Sequence, residues 1–589
     1  MTWRMPATAL VLVLGLLLGG CTGLPEHSTV QPGLVVDGPD EESVREVPAG
    51  PVTGAKPVDI VWGFLRAGIA VSDDVAVPRS FLAPAAEQKW APDGSAYVYG
   101  STENVSVTLV GAREVAVVAH VVGRMDADGH YQELPAGSTR SLRLGLEQVA
   151  GQWRIASGLP DASVLLSAAD FARYDSFPTT YVSARAPILV SDNRYLLKGS
   201  GLATRLARAQ LAPPPSYLQG AVGTGIPEFT TLVGSVTEDN GVATVTLSER
   251  ASSTDERQRR AMWAQFAQTL TQLRTVTAVQ LEVAGKKLSI AGLPDRPLTV
   301  GDLGYTGVAL DASVAFLRSG TAVQAVDPAS LAVPADPASR DAPTPPVRQI
   351  DNHWFMLAAA ADRSELAAVG GDLKELSRWR GGRQLRLPHF ATELSRPVYD
   401  RNGYLWVAGR TAAGTRLFVQ PTTTTAPALP TALNVAWLEG RTVTSLKLAA
   451  DGLRIAVVSV DPKTETSRID VVGVNRNAAG APVALSAATA GSTLQIGARV
   501  TSVTDLVWVD DQTLGVLGRV GKGQPVRVVL VPLSGPSQDL GQVAGGQAIT
   551  SFGGPRSIAV VTDRHEVLVR AGNGFLRQGS GTDLAVPGR

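Results

Sequence analysis

Between residues 295 and 589 an aspartate in a short polar turn is followed, again and again, by a β-prone run. Asp311, Asp362, Asp400, Asp451, Asp510 and Asp563 lie 51, 38, 51, 59 and 53 residues apart. Leu405-Trp406-Val407-Ala408, Ile455-Ala456-Val457-Val458, Leu514-Gly515-Val516-Leu517 and Val567-Leu568-Val569 are the runs after four of them. A period near 50 with a turn-then-strand signature predicts a β-propeller, one four-stranded blade per repeat. The carboxylate has a local task, accepting backbone N–H groups in the turn. Six blades of about 49 residues fit this stretch, five or seven remain open, and a pair of β-sandwiches is the competing arrangement.

The other end of the chain is as informative. Arg4 precedes a run from Ala7 to Gly20 that carries no charge. As a helix it would cover about 21 Å, short of the ~30 Å hydrocarbon core, so a secretory signal peptide over 1–20 fits better than a membrane span. The run ends Leu18-Gly19-Gly20-Cys21, which resembles the bacterial lipoprotein box. Small residues let the extended backbone enter a peptidase site, and the thiol accepts a diacylglyceryl group. The expectation is cleavage between Gly20 and Cys21, then S-diacylglycerol and N-acyl (palmitate-type) modification of Cys21. Two or three acyl chains make a stable anchor. Cys21 is the sole cysteine, which excludes an intramolecular disulfide, a Cys-rich zinc site and an iron–sulfur cluster. Residues 21–54, rich in Gly, Pro and acidic residues, read as a flexible tether. The folded part is thus expected at the extracytoplasmic face of the cell membrane.

Two small α+β domains are expected between tether and propeller, over 55–165 and 187–294. In the first, Pro57 opens an amphipathic helix with Ile60, Val61, Phe64 and Leu65 on one side. A second helix is predicted over 79–90, then strands over 105–109, 115–122, 142–146 and 152–155, with a turn at Asp128-Gly129. Helices followed by a curved antiparallel sheet resemble the cone of nuclear-transport-factor-like folds. His120 either looks into such a cone or is an ordinary strand residue. In the second domain a helix is predicted over 202–211, and strands over 231–236 and 242–247 joined through Asn240-Gly241. Ser253-Thr254-Asp255-Glu256 reads as a capping box with Ser253 as the cap. Met262, Phe266, Leu270 and Leu273 form one stripe of the helix it opens. Val279, Leu281 and Val283 alternate in the next strand, Gly285 turns it, and Leu288 and Ile290 continue.

Tyr195-Leu196-Leu197-Lys198-Gly199, Ile226-Pro227, the run 242–248 and the run 265–271 resemble the GerMN domain of spore-germination and cell-envelope proteins. With the lipobox, the cone and the C-terminal repeats, almost the whole chain resembles the LpqB family of actinobacterial lipoproteins. That resemblance implies a non-enzymatic accessory protein. Its implied partner is the extracytoplasmic region of the MtrB sensor kinase of the MtrA–MtrB two-component system, with outputs in cell-wall homeostasis and division. Thr244 and Thr269 would either line a ligand groove of the GerMN domain or stand on solvated faces.

The residues offer little catalytic chemistry. The six histidines, His27, His120, His130, His353, His389 and His565, have no metal-ligand spacing, and His565-Glu566 lacks the second His of a zincin. Gly521-Lys522-Gly523 is not a phosphate-binding loop, and no nucleophile elbow occurs. Asp400-x-x-Gly403-x-x-Trp406 resembles a sialidase-type Asp box, an element that is structural in such enzymes. No catalytic residue, metal or cofactor is expected. The 53 basic and 53 acidic residues balance, which leaves no electrostatic footprint for nucleic acid. The alternatives to a sensor-kinase regulator are a peptidoglycan or glycan binder, with Trp406, Trp437 and Trp508 either stacking on sugars or anchoring blades, and a hydrolase of envelope polymers.

Overall fold

The structure, a computed structural model, describes residues 49–588 apart from 68–75, 91–94, 160–162, 309–311, 333–343 and 488. The expected signal peptide, Cys21, His27, most of the expected tether and Asp311 lie outside the described residues.

The first helix, α1 (Pro57–Ala67), buries the predicted face, Ile60, Val61, Phe64 and Leu65. The expected helix over 79–90 is instead two short ones, α2 (Ala76–Arg79) and α3 (Pro84–Lys89). Between them Phe81 and Ala83 form a ladder with Ile155: the Ile155 N–H donates to Phe81 and the Ala83 N–H donates to Ile155. Pro84 then restarts the helix at a position where a missing N–H costs nothing. The strands are β1 (Ser95–Tyr99), β2 (Val105–Gly111), β3 (Glu114–Met125), β4 (Tyr131–Glu133), β5 (Thr139–Val149), β6 (Gln152–Ser157) and β7 (Ser163–Ser167). They make a seven-stranded sheet along β6-β5-β3-β1-β7, with β2 and β4 also on β3. It is not wholly antiparallel, since β1 and β7 run parallel. The long β3 carries alternating buried Val115, Val117, Ala119 and Val121, packed under α1.

A short helix α4 (Ala168–Phe171) leads into the hairpin β8 (Tyr174–Val182) and β9 (Leu189–Leu197), which the sequence patterns did not mark. The hairpin bridges the first domain to the second, whose elements are α5 (Leu202–Gln210), β10 (Thr237–Asp239), β11 (Val242–Leu247), α6 (Glu256–Leu270), β12 (Ala278–Val283) and β13 (Lys286–Lys287). The turn at Asn240-Gly241 is present, both residues having positive φ (48° and 80°), as a tight hairpin turn needs. Its first strand is 237–239 rather than 231–236. Gly234 turns the chain at φ 73°, and the Val236 N–H donates to Thr204 Oγ1, leaving Leu232 a single bridge to Leu247. The capping box is also displaced by two residues. Asp255, not Ser253, is the cap: it accepts from the Gln258 N–H at 2.7 Å, and Gln258 Oε1 accepts from the Asp255 N–H at 3.2 Å. Ser253 lies in the preceding 3-10 turn and donates to Arg250. After Gly285, β13 ends at Lys287, so Leu288 and Ile290 are not part of a strand. α6 buries Met262, Trp263, Phe266 and Leu270 against β11 and β12.

From Ala315 the described residues form six antiparallel sheets. The first contains Ala315–Ser319, Ala322–Val326 and, from the far end of the chain, Asp583–Ala585. The others occupy 354–386, 398–433, 442–496, 502–542 and 546–580. From the second sheet on, the first strand of each touches that of the next, and the C-terminal strand, paired with Ala315–Ser319, closes the circuit by touching the first strands of the second and last sheets. This is a β-propeller-type domain. Four of the five described repeat aspartates cap their turns as the signature predicts: Asp362, Asp400, Asp451 and Asp510 each accept a backbone N–H two residues on, at 2.7–3.0 Å, whereas in the turn of Asp563 it is Thr562 Oγ1 that accepts, from the Glu566 N–H.

Candidate functional site

The junction of the three domains is built on the turn between β3 and β4. Asp126 Oδ1 accepts the N–H groups of Asp128 and His130, so the turn is self-bonded. Gly129 has φ 85°, and a Cβ there would lie 2.8 Å from the Tyr195 carbonyl oxygen. Only glycine lets β9 approach this closely, and the Tyr195 N–H donates to the Gly129 carbonyl at 2.7 Å.

Side chains of all three domains converge beside this contact. His130 Nδ1 lies 3.2 Å from Asp126 Oδ2, and Nε2 lies 2.9 Å from Asp192 Oδ2 on β9. Arg194, two residues along the same face of β9, pairs with Asp192 at 2.8 Å and donates to the Asp128 carbonyl. The other oxygen of Asp192 accepts from Tyr217 Oη at 2.9 Å. Tyr217 stands in the 3-10 turn Ser216–Leu218, where Pro213-Pro214-Pro215 has ended the α5 segment. On the propeller side, repeat residue Asp451 holds Arg454 through Nε and Nη2 at 2.8 and 2.7 Å. Arg454 in turn donates to the Ser191 carbonyl of β9, which also accepts from Gln512. A blade-turn aspartate therefore aims the arginine that grips the hairpin.

Burial opposes charge on His130, but its hydrogen bonds to Asp126 and Asp192 and the charge of Asp192 outweigh it and hold the imidazole up to about 9. Burial likewise tends to raise Asp192, yet His130 and Arg194 keep its carboxyl below the usual range. His130 is thus cationic at neutral pH with both ring nitrogens taken by carboxylates. It has no free lone pair to serve as a general base.

Beside this network opens a cleft of about 580 Å³. Gln132 and the β3–β4 turn form one wall, Ser216 and Tyr217 another, and Leu494, Ile496 and Leu533 of the propeller the third. The volume lies within the range of ordinary ligand clefts, and on the propeller side Thr493 and Gln495 alternate with Leu494 and Ile496. Tyr131 and Glu133 of β4, which also line the cleft, fasten the first domain to the propeller. The Tyr131 N–H donates to Ser534 Oγ at 2.9 Å, and Ser537 Oγ donates to Glu133 Oε2 at 2.6 Å.

The residues singled out from the sequence lie elsewhere. His120 is exposed on the outer face of β3 and does not enter the cone. Thr269 is fully buried and donates to Gln210 Oε1, so it neither lines a groove nor stands on a solvated face, while Thr244 is a half-buried β11 residue. Trp406, Trp437 and Trp508 are at most 5% exposed and offer no ring face to a sugar. Trp406 Nε1 donates to Asp400, and Trp508 Nε1 donates to the Lys447 carbonyl. His353 pairs with Glu375 at 2.6 Å on the propeller surface. His130 was one of six unremarkable histidines in the sequence; Asp126 lies four residues before it, but Asp192 and Arg194 lie 62 and 64 residues away, and no local pattern marks them.

Residues 50–172 match the family described as lipoprotein LpqB, N-terminal domain. Residues 175–289 match sporulation and spore germination, and residues 338–584 match the lipoprotein LpqB beta-propeller domain. Three similar relatives carry the name lipoprotein LpqB. The protein of Cutibacterium acnes is 27% identical, covering 88% of this chain and 87% of its own. That of Streptomyces coelicolor is 26% identical over 99% and 98%, and that of Thermobifida fusca 28% identical over 94% of each. Among the described residues no helix is long and apolar enough to cross a membrane.

Proposed function

The chain belongs to the LpqB lipoprotein family, and on that premise we propose that it is a non-enzymatic regulator of an MtrB-type sensor kinase, acting on cell-wall homeostasis and division. In this reading lipid on Cys21 holds the protein at the outer face of the cell membrane. The three-domain body then meets the extracytoplasmic region of the kinase. The cleft supports the reading most strongly, because its walls come from three domains fixed to one another by buried bonds. A partner segment seated there reads a preformed surface and loses little to reorganising it. The lipoprotein biases the kinase if it binds one signalling state more tightly than the other. The cleft supplies the anchor of a larger contact, since a stable interface buries about 800 Å² on each partner.

The test is retention of the full-length lipoprotein by the immobilised outer domain of the sensor. Wild type is expected to be retained, and Gln132→Arg, which puts a bulky cation into the exposed middle of β4, to be retained at least tenfold less. Equal loss of both to the flow-through contradicts the proposal.

A further inference from the structure

The loop between the last two strands of the third sheet, Gly414–Pro421 and Thr431–Leu433, reads Thr422-Thr423-Thr424-Thr425-Ala426-Pro427-Ala428-Leu429-Pro430. Its four consecutive threonines carry the only polar side chains of the loop, and it holds no charge. Threonine runs mixed with proline are the composition of O-glycosylated segments, because proline keeps the chain extended and the hydroxyls stay outside any core.

The structure fixes the backbone of this loop and leaves hydroxyls outside. Arg378, paired with the buried Glu365, donates from Nη2 to the Thr422 carbonyl at 2.8 Å and from Nη1 to the Thr424 carbonyl at 3.0 Å. The Thr422 N–H donates to the Gly403 carbonyl at 2.8 Å, and Gln420 Nε2 donates to the Ala428 carbonyl at 3.0 Å. With these carbonyls drawn inward, Thr422 is buried and Thr424 half-buried, while Thr423 and Thr425 are exposed. Further along the same loop Leu429 is 63% exposed. The loop therefore presents two accessible hydroxyls on a fixed backbone beside an uncovered apolar side chain, and a sugar there supplies the polar cover that the sequence lacks.

We propose that Thr423 and Thr425 are O-glycosylation sites that receive a hexose in the cell envelope, an inference that rests on export of the chain. The co-reactant is a lipid-linked sugar phosphate. The threonine Oγ attacks the anomeric carbon, forming the Oγ–C1 bond, while the bond from C1 to the phosphate oxygen breaks. The hydroxyl proton passes to a base of the transferase, the lipid phosphate leaves with the electron pair, and nothing is oxidised or reduced.

The test is mass spectrometry of the full-length protein purified from its native host. Trypsin releases the loop within one peptide, residues 417–441, since Arg416 and Arg441 bound a stretch without Lys or Arg. That peptide is expected to carry hexose, located on Thr423 and Thr425 by electron-transfer fragmentation. Thr423→Ala with Thr425→Ala should return it to its unmodified mass and leave the fold intact, since neither side chain is buried. An unmodified wild-type peptide, or hexose found only outside this loop, overturns the proposal. A glycosylated loop on protein that is missing from the membrane fraction supports it and contradicts the lipid anchor alone.

Discussion

His130 Nε2 and Asp192 Oδ2 lie 2.9 Å apart across 62 residues of chain, and this pair fastens the first α+β domain to the hairpin that carries the rest of the molecule. The imidazole is held up to about 9 against an ordinary value of 6.5. A cation stabilised in this way contributes fully below about 6.5, and its contribution is lost as pH rises through about 9. Urea unfolding between pH 6 and 10 should show this as a decline of at most about 3 kcal/mol. His130→Gln should be less stable at pH 6 and should lose most of the slope. Parallel pH profiles for the two proteins would show that the pair does not couple to folding.

The repeat aspartates are predicted to differ in worth. Asp400 accepts two backbone N–H groups and Trp406 Nε1, and pairs at 2.6 Å with Arg476, which is 3% exposed. Asp400→Ala leaves that guanidinium buried without its partner, and should cost about 3–5 kcal/mol. Asp362 caps an exposed turn through one N–H. Asp362→Ala should cost under about 1 kcal/mol. Chemical denaturation of both variants checks the contrast.

Glu365 and Arg378 form a fully buried pair at 2.8 Å on adjacent strands of the second sheet. Glu365→Ala alone should destabilise by about 3–5 kcal/mol, whereas Glu365→Leu with Arg378→Met should recover most of the loss, because the one charge then left without its partner, Arg380, is part-exposed. A double-mutant cycle measures the coupling directly.

Cys21→Ala should move the protein from the membrane fraction to the soluble fraction of cells. Persistence in the membrane would mean that something other than the expected lipid holds it.

Local rules were legible wherever a local bond decides the structure. The Asp-turn-strand repeat, the Asn240-Gly241 turn and the buried stripe of α1 all depend on residues within a few positions of one another. Boundaries moved where a longer-range contact won. The Ile155 ladder split the predicted second helix, and the capping role passed from Ser253 to Asp255 once the chain before it wound into a 3-10 turn. The hairpin of β8 and β9 gave no alternating signal, because Thr179, Thr180, Asp192 and Arg194 are polar and yet buried. Their burial is made possible by partners distant in the sequence, such as Tyr217 and Gln210, 25 and 30 residues away. The cleft is built from the same distant partners, and so left no motif.

Photo-crosslinking from position 132 tests the account at its centre. Gln132 is exposed in the wall of the cleft. With benzoylphenylalanine there, irradiation in the presence of the sensor's extracytoplasmic domain should give a covalent adduct of one lipoprotein and one sensor domain. The same probe at His120, on the outer face of β3, should give none. Adducts from position 120 but not from 132, or from neither, would contradict a partner seated in the cleft.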